Sequence, residues 1–428
     1  MTTPRKGSGP VDDCGCDDYG LSRRSLLKAA GLAAMAGVTT SMFGDVLTST
    51  VFGATEGNIL VVVSLRGGAD GLSMIVPHAE SAYYSARPNT AIARDRLLRA
   101  DSTFGLHPAF APLEPMWAAG QVAGLQAVGL PSPNRSHFEA MELLEDADAG
   151  SSARIGWINR MIAGLATSPD VFDGIQIGST VTPTSLVGPA PSLATGGFDD
   201  LLLPFTKDTK LAPQVSATLR SQYTAHGGPL GDAGINALAL ATRAGDVAGA
   251  VSAGPPSGVK YPQYSSLGKA LGTTAGLIRA KVGVKAVAVD SGGWDHHVDL
   301  KQRVNDTIGD LATCLAAFFT DLGPEAGRVT VVTLSEFGRR LTENGSRGVD
   351  HGYGNAVLAL GAGVKGGKYY SRDWPTLGSG KQVDGDLAVT TDYRSVLMEI
   401  LRSRFPSLNL SKVFPDVPPT TTPLGFMR

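Results

Sequence analysis

Two short apolar runs that end in acidic residues most constrain the fold of this 428-residue chain. Residues 284–289 (VKAVAV) and 329–334 (VTVVTL) are rich in β-branched residues and are bounded by glycine and charge, which is typical of buried parallel strands. A helical pattern over residues 300–322 lies between them, as a crossover between parallel strands requires. The sequence therefore predicts an α/β fold with a largely parallel sheet flanked by helices.

Carboxylates and imidazoles follow these runs and one later loop. Asp290, Asp295 and the pair His296-His297 come after the first run, Glu336 comes after the second, and Asp350-His351 follows a loop. Ligands of open α/β sheets bind outside the carboxyl ends of the strands, so these side chains are expected to meet. Carboxylate with imidazole suits Zn²⁺, Mn²⁺ or Fe, whereas all-oxygen sites favour Mg²⁺ or Ca²⁺. We therefore expect a divalent-metal site.

Each of these residues also has a structural alternative. Asp295 and its histidines would then be a surface charge cluster after a turn. Glu336 would pair with Arg339 or Arg340 near a strand end. Asp350 would stabilise a loop turn, and both interpretations stay open from the sequence alone.

A first strand is predicted at residues 58–65 (NILVVVSL), followed by the loop RGGADG. Neither dinucleotide nor P-loop glycine motifs are present, so a phosphate loop is poorly supported. Asp70 or Arg66 would meet a ligand at the end of the strand; alternatively, Asp70 caps the next segment.

The segment PSPNRSHFEAME, residues 131–142, has a comparable ambiguity. Ser136 with Glu139 three residues later forms a capping-box pattern, which predicts a helix start. A hydroxyl at a helix N-terminus also lies where a phosphate or sulfate group is stabilised. Ser136, flanked by Arg135 and His137, is therefore either a cap or part of a catalytic cluster.

The N-terminus carries an export pattern. Arg23-Arg24 precede a short Ala/Gly-rich apolar stretch ending at Phe43, which matches a twin-arginine signal and is too short for a stable membrane span. We expect residues 1–54 to be signal and leader, and the protein to use the twin-arginine translocase on its way to the periplasm, cell wall or medium. Cys314 would be the remaining thiol, buried in a helix.

Composition limits the partners and the domain count. The formal net charge is −2, which suggests neither nucleic acid nor an anionic membrane surface as a partner. The Gly/Pro/Thr-rich residues 151–230 are weakly periodic, so we interpret them as an irregular insertion over the sheet. Residues 55–428 are expected to form one domain around it.

Six ordered motifs resemble the bacterial domain of unknown function 1501 family, which carries twin-arginine signals. They are LRGGADGLSMIVPH, FGLHP, PNRSHFEAM, DSGGWDHH, LSEFGRR and DHGYGNAVLALGAGVKGG. The family is grouped with the alkaline phosphatase and sulfatase superfamily. The resemblance implies a metal-dependent hydrolase of a small anionic phosphate or sulfate ester with a two-metal site. Because the chain departs from the superfamily pattern, one or two divalent ions are expected.

The resemblance also implies roles for individual residues. Ser136 would be the nucleophile, with Ser132 a second candidate. Independently of the resemblance, Arg135, Arg339 or Arg66 could clamp the anion, because a guanidinium binds such groups through two hydrogen bonds. Ser335-Glu336 departs from the superfamily's usual Asp-His or Asp-Asn pair, which favours a rival hypothesis of a non-catalytic exported binding or assembly protein. The implied metal ligands are Asp70, Asp290, Asp295, His297, Glu336 and His351.

Overall fold

The computed structural model describes residues 57–148, 150, 153–166, 169–203, 211–417 and 422–428. The predicted twin-arginine signal, its cleavage region and the two N-terminal cysteines lie outside these residues.

The strands alternate with helices along most of the chain. They are β1 Ile59–Leu65, β2 Ile75–Val76, β3 Gly105–Leu106, β4 Val122–Gly129, β5 Gly174–Ile177, β6 Leu193–Thr195, β7 Ala286–Ser291, β8 Val329–Leu334, β9 Asn355–Gly361, β10 Lys368–Tyr370 and β11 Thr391–Asp392. The α-helices are α1 Gly71–Met74, α2 Ser81–Ala86, α3 Glu114–Ala118, α4 His137–Asp146, α5 Trp157–Leu165, α6 Leu211–His226, α7 Gly228–Ser252, α8 Ser266–Arg279, α9 Leu300–Leu322, α10 Tyr393–Arg404 and α11 Leu410–Val413. The 3₁₀ segments are Arg94–Arg96, Pro108–Leu113, Thr184–Leu186, Phe198–Leu201 and Gly323–Arg328.

Among the described residues, nine strands form one mixed sheet. Its order is β10-β4-β9-β8-β1-β7-β5-β6, with β11 also paired to β4, while β2 and β3 form a separate antiparallel pair. β9 runs antiparallel to both of its neighbours, and the other pairs are parallel. The predicted α/β fold with a sheet flanked by helices is present, but the prediction of a largely parallel sheet is wrong, because the sheet is mixed. The chain leaves β8 at its carboxyl end and enters β9 from the same end of the sheet, so β9 runs antiparallel to β8.

The region predicted as an irregular insertion contributes to the sheet. β5 pairs in parallel with β7, and β6 pairs in parallel with β5. The expectation of loops lying over the sheet is wrong for these strands. They are only four and three residues long, too short to produce a readable period-two or apolar pattern.

Alternate residues of β1 pack on opposite faces of the sheet. Ile59, Val61 and Val63 join one apolar cluster, to which α8 and α9 contribute. Leu60 and Val62 join a second cluster, to which α5 and α10 contribute. All five side chains are buried, and each such burial contributes roughly 1.5–3 kcal/mol. Helices therefore cover both faces and leave the strand ends as the place for a site.

The predicted crossover helix is confirmed. It occupies Leu300–Leu322, and it carries Cys314 as a buried free thiol. Near the end of the chain, α10 begins after Asp392, whose side chain accepts from the Arg394 N–H and so caps it. No helix in the described part of the chain is both long and apolar enough to cross a membrane.

Candidate metal centre

The carboxyl ends of β1, β4, β7 and β8 lie at the same end of the sheet, and the chain enters β9 from that end. Residues just beyond these ends supply an imidazole and carboxylate cluster. Its members are His137 after β4, Asp295 and His297 after β7, Glu336 after β8, and His351 before β9.

Asp295 and two histidines form a compact triangle of ligand atoms. Asp295 Oδ1 lies 3.0 Å from His297 Nε2 and 3.2 Å from His351 Nε2, and the two imidazole nitrogens are 3.0 Å apart. Two donor atoms that are each about 2.1 Å from one ion lie roughly 3.0–3.4 Å apart, for angles between octahedral and tetrahedral. The triangle therefore has the size of three ligands on one ion.

The tautomers of these two histidines follow from their other ring nitrogens. His297 Nδ1 lies 2.8 Å from Asp350 Oδ1, and His351 Nδ1 lies 3.0 Å from the Arg135 carbonyl oxygen. A carbonyl or ionised carboxylate oxygen only accepts, so each Nδ1 carries the hydrogen. In the neutral rings, both Nε2 atoms then present lone pairs towards Asp295 Oδ1. A cation between or beside them, or a proton on one Nε2, would relieve the repulsion among these atoms.

His137 adds a third imidazole. Its Nε2 lies 3.8 Å from Asp295 Oδ1, and its ring centroid is 4.4 Å from that of His351. The ligand atoms of His137, Asp295 and His351 all lie within 4.8 Å of one another. The sequence placed His137 beside a nucleophile, whereas here it stands among metal-type donors.

Arg339 is the cation already beside this cluster. Its buried guanidinium donates to Asp295 Oδ1 at 2.5 Å, to the Gly68 carbonyl at 2.5 Å and to the Val349 carbonyl at 2.9 Å. Burial acts to raise the pKa of Asp295, but the hydrogen bond and charge of Arg339 outweigh it and lower the pKa to about 2. Asp295 is therefore an ionised carboxylate at neutral pH.

The pKa values of one candidate ligand and of one carboxylate that orients a candidate ligand are both lowered. Burial, followed by the charge of Arg339, lowers the pKa of His351, which favours its neutral ring. A histidine must be neutral to bind a metal ion. Hydrogen bonds from His297 and then Asn344 lower the pKa of Asp350, which favours the carboxylate that accepts from His297.

Glycines after β1 let this loop approach the cluster. Gly67 has φ +119°, and a Cβ there would lie 2.6 Å from the Asp295 nitrogen. Gly68 has φ +71°, and a Cβ there would lie 2.3 Å from the Phe337 ring. A side chain at either position would be strained and would displace a neighbour.

Asp70 is not part of the cluster, contrary to the predicted ligand role. It is fully buried and pairs with Arg87, whose Nη2 donates to Asp70 Oδ1 at 2.9 Å and Nη1 to Oδ2 at 2.5 Å; the Ser73 hydroxyl donates to Oδ2 as well. Burial acts to raise the pKa of Asp70, but the charge and hydrogen bonds of Arg87 hold it below its ordinary value. The alternative of a side-chain cap is also absent. Asp70 is instead half of a buried ion pair.

Asp290 likewise belongs to a separate polar group. Arg66 Nε donates to Asp290 Oδ1 at 2.7 Å, and Gln176 Nε2 donates to Oδ2 at 3.2 Å. Arg66 also lies 2.8 Å from Glu145 Oε1. Burial raises the pKa of Glu145, although Arg66 opposes the shift. Asp290 is thus committed to an arginine rather than to the three histidines.

Ser136 caps α4, which is one of the two roles that the sequence predicts for it. Its Oγ accepts from the Glu139 N–H at 3.5 Å, while its own N–H donates to Asn134 Oδ1 at 2.9 Å. The capping box is therefore one-sided. The Ser136 residue is exposed, and so is Ser132.

The predicted anion clamps all have partners. Arg135 donates to Asp386 Oδ2 through Nε at 3.2 Å and through Nη2 at 2.5 Å. Arg66 binds Asp290, and Arg339 binds Asp295 and backbone carbonyls. An anionic substrate would therefore meet arginines that already bind acceptors.

Glu336 and Asp350 form hydrogen bonds with histidines and do not belong to the triangle of ligand atoms. Glu336 Oε1 lies 2.9 Å from His137 Nδ1, and Asp350 fixes His297. Asp350 is not among the predicted metal-site residues, and its place directly before His351 is the sequence signal that points to it. His296 turns away, since its buried ring lies 3.1 Å from Thr307 Oγ1.

The residue types of this cluster suit a divalent ion. Three imidazole nitrogens and one carboxylate oxygen suit Zn²⁺, Mn²⁺ or Fe better than Mg²⁺ or Ca²⁺. Asp295, Glu336 and Asp350 with the single guanidinium of Arg339 leave two negative charges in this hydrogen-bonded set. One divalent cation would balance them.

Comparisons with known proteins identify a family but no activity. No curated protein matches the chain. A solved structure, the lipoteichoic acid synthase LtaP from Listeria monocytogenes, is similar at 8% identity and a TM-score of 0.32, covering 85% of this chain and 80% of that one. A likeness of that size carries no argument about fold or reaction. The sequence model of the family described as protein of unknown function (DUF1501) matches residues 114–393, and the chain belongs to that family.

Proposed function

We propose that this protein is an exported metalloprotein with a mononuclear centre that hydrolyses a phosphate or sulfate ester. The ligands are Asp295, His297 and His351, with His137 as a fourth donor. The carrying observation is the triangle of Asp295 Oδ1 and two Nε2 atoms, with edges of 3.0, 3.0 and 3.2 Å. Three acceptor atoms at these distances repel one another. The guanidinium of Arg339 reaches Asp295 Oδ1 at 2.5 Å but lies 3.4 Å from His297 Nε2, so a metal ion among the three atoms would relieve the remaining repulsion.

Solvent reaches these residues, as a hydrolytic centre requires. The side chain of Asp295 is 48% exposed, and that of His297 is 41% exposed. A divalent ion at such a place supplies Lewis acidity and lowers the pKa of a bound water. Phe337 packs against His137 and His351 at centroid distances of 4.9 and 4.7 Å and so supports the rings from one side.

The attacking group is proposed to be water rather than Ser136. The Ser136 hydroxyl is used by the helix cap and the residue is exposed. Ser136→Ala should therefore cost about 1 kcal/mol of stability, as the loss of a cap does, and leave turnover within a few-fold of the original. Abolished turnover with intact metal content would restore Ser136 as the nucleophile.

Metal analysis of the purified protein tests the centre directly. We expect close to one zinc, manganese or iron ion per chain, removable by a chelator, and hydrolysis of an aryl phosphate or aryl sulfate that the chelator stops. His351→Ala should lose the ion. His226→Ala is the matched control, because His226 is an exposed histidine at the end of α6. A folded protein without stoichiometric metal would refute the proposal.

A second candidate function is an exported, non-catalytic binding or assembly protein that keeps a structural ion. Arg339 favours it, because its guanidinium already donates to Asp295 Oδ1 and lies 3.4 Å from His297 Nε2. Four protein ligands also resemble a closed structural site more than an open catalytic one. Tightly bound metal with no cleavage of either ester class would select this candidate.

A further inference from the structure

Glu336 is buried and has hydrogen-bonding partners for both of its oxygens. Oε1 accepts from the Gly67 N–H at 2.8 Å and lies 2.9 Å from His137 Nδ1. Oε2 lies 3.1 Å from Ser335 Oγ. The side chain is 3% exposed, so these protein contacts replace the water that a carboxylate would otherwise bind.

These contacts determine which nitrogen of His137 carries hydrogen. The Gly67 N–H donates to Oε1, so Oε1 is an acceptor and the His137 Nδ1 must be the donor to it. The Nε2 of the neutral ring is then left with its lone pair. That atom is the one that faces Asp295 Oδ1, at 3.8 Å.

We infer that Glu336 is a positioning residue rather than a metal ligand: it fixes the tautomer and ring direction of His137 so that Nε2 is available to the ion. This inference rests on the proposed metal centre. It gives a role to Glu336, which belongs to the pair Ser335-Glu336 that departs from the superfamily's usual pair. A carboxylate that accepts from the second nitrogen of a ligating histidine raises its basicity and holds its orientation.

The three histidines of the centre differ in how firmly they are held. His297 is oriented by Asp350, whose side chain is 51% exposed, and His351 by a backbone carbonyl. His137 is oriented by a carboxylate that is itself fixed by Gly67 and Ser335. Loss of Glu336 should therefore weaken metal binding more than loss of Asp350, because water can replace an exposed partner.

Two substitutions separate the hydrogen bond from the charge. In Glu336→Gln the amide oxygen can still accept from His137 Nδ1 and Gly67, and the amide nitrogen can donate to Ser335 Oγ. Glu336→Met has a similar length and no acceptor oxygen. We expect the Zn²⁺ affinity of Glu336→Gln, measured by competition with a chromophoric chelator, to stay within a few-fold of the original, and that of Glu336→Met to fall about 10–100-fold. Asp350→Leu, which also has no acceptor oxygen, serves as the exposed comparison, and its affinity should fall less than that of Glu336→Met.

A second measurement does not depend on metal. Nitrogen-15 NMR of the metal-free protein should report His137 as the Nδ1–H tautomer in the original chain and in Glu336→Gln, and as a mixture in Glu336→Met. If Glu336→Gln loses as much affinity as Glu336→Met, then Glu336 is a direct ligand and the inference is wrong. Unchanged affinity and tautomer in Glu336→Met would also overturn it.

The two proposals fail in different ways. If the original protein binds no ion, the proposed function fails, while the NMR measurement still decides the role of Glu336. If the ion binds but neither the affinity nor the tautomer depends on residue 336, the positioning role fails and the metal centre stands.

Discussion

Replacement of Arg87 by methionine should be one of the most destabilising single changes in the described part of the chain. Arg87 and Asp70 are both fully buried, so the substitution leaves a carboxylate without its counter-ion. Breaking a buried pair in this way costs about 3–5 kcal/mol. Arg87 also donates to the carbonyls of Leu341 and Arg340, at 2.8 and 2.9 Å, and their loss moves the expected value towards the upper end.

Urea or thermal unfolding of Arg87→Met, read by circular dichroism, measures this loss. Arg94→Met is the control: Arg94 is exposed, and surface substitutions of this kind stay within about 0.5 kcal/mol. The double variant Asp70→Leu, Arg87→Met should recover part of the loss, because it removes the orphaned charge.

The same variants decide what Asp70 is for. If the ion pair is structural, folded Asp70→Asn should retain its metal, because Asp70 does not belong to the triangle of Asp295, His297 and His351. A loss below about 1 kcal/mol in Arg87→Met, or a loss of metal in folded Asp70→Asn, would refute this reasoning and return Asp70 to the predicted ligand set.

Two further predictions concern groups away from the metal centre. Burial lowers the pKa of His107 to about 4, below its ordinary 6.5, so the stability it contributes is complete above pH 6.5 and is lost as pH falls towards 4. The free energy of unfolding, measured as a function of pH, should fall by about 3 kcal/mol over that range. The fall should be smaller in His107→Asn, whose side-chain oxygen can still accept from the Ala109 N–H in place of His107 Nδ1. An equal dependence of the unfolding free energy on pH in both proteins would contradict this assignment. Burial raises the pKa of the Cys314 thiol to about 12, so at pH 8 a thiol reagent should label Cys314 only at the rate of unfolding, and rapid labelling of the native chain would count against its burial.

Strong periodic segments were predictable from sequence, and short ones were not. The run over residues 329–334 and the helix over 300–322 have the bounds that their patterns indicate, because each buries a continuous apolar surface. β5 and β6 were missed, since each has at most four residues and is held by its neighbours in the sheet. β9 runs antiparallel because the loop before it stays at the carboxyl ends of the neighbouring strands. The apolar content of the strand does not encode the path of that loop.

The candidate site was predictable in composition but not in pairing. Asp295 and His297 lie beyond the carboxyl end of β7, where ligands of such sheets bind. His351 meets them because the antiparallel strand β9 begins at that same end of the sheet. Which carboxylate acquires an arginine depends on long-range contacts: Asp70 meets Arg87, and Asp290 meets Arg66. The sequence therefore contains six comparable candidate metal ligands. Only the packing shows which of them meet and which are paired with an arginine elsewhere.

This pairing argues for one ion rather than the two implied by the superfamily resemblance. A second ion would need carboxylates free to coordinate it, yet Asp70 and Asp290 are each bound to an arginine and Glu336 is bound to His137 and Gly67. Releasing Asp70 would leave Arg87 as a buried, unpaired cation, at a cost of several kcal/mol. The charge balance agrees, because the hydrogen-bonded set around Asp295 has two negative charges in excess, which a single divalent cation neutralises.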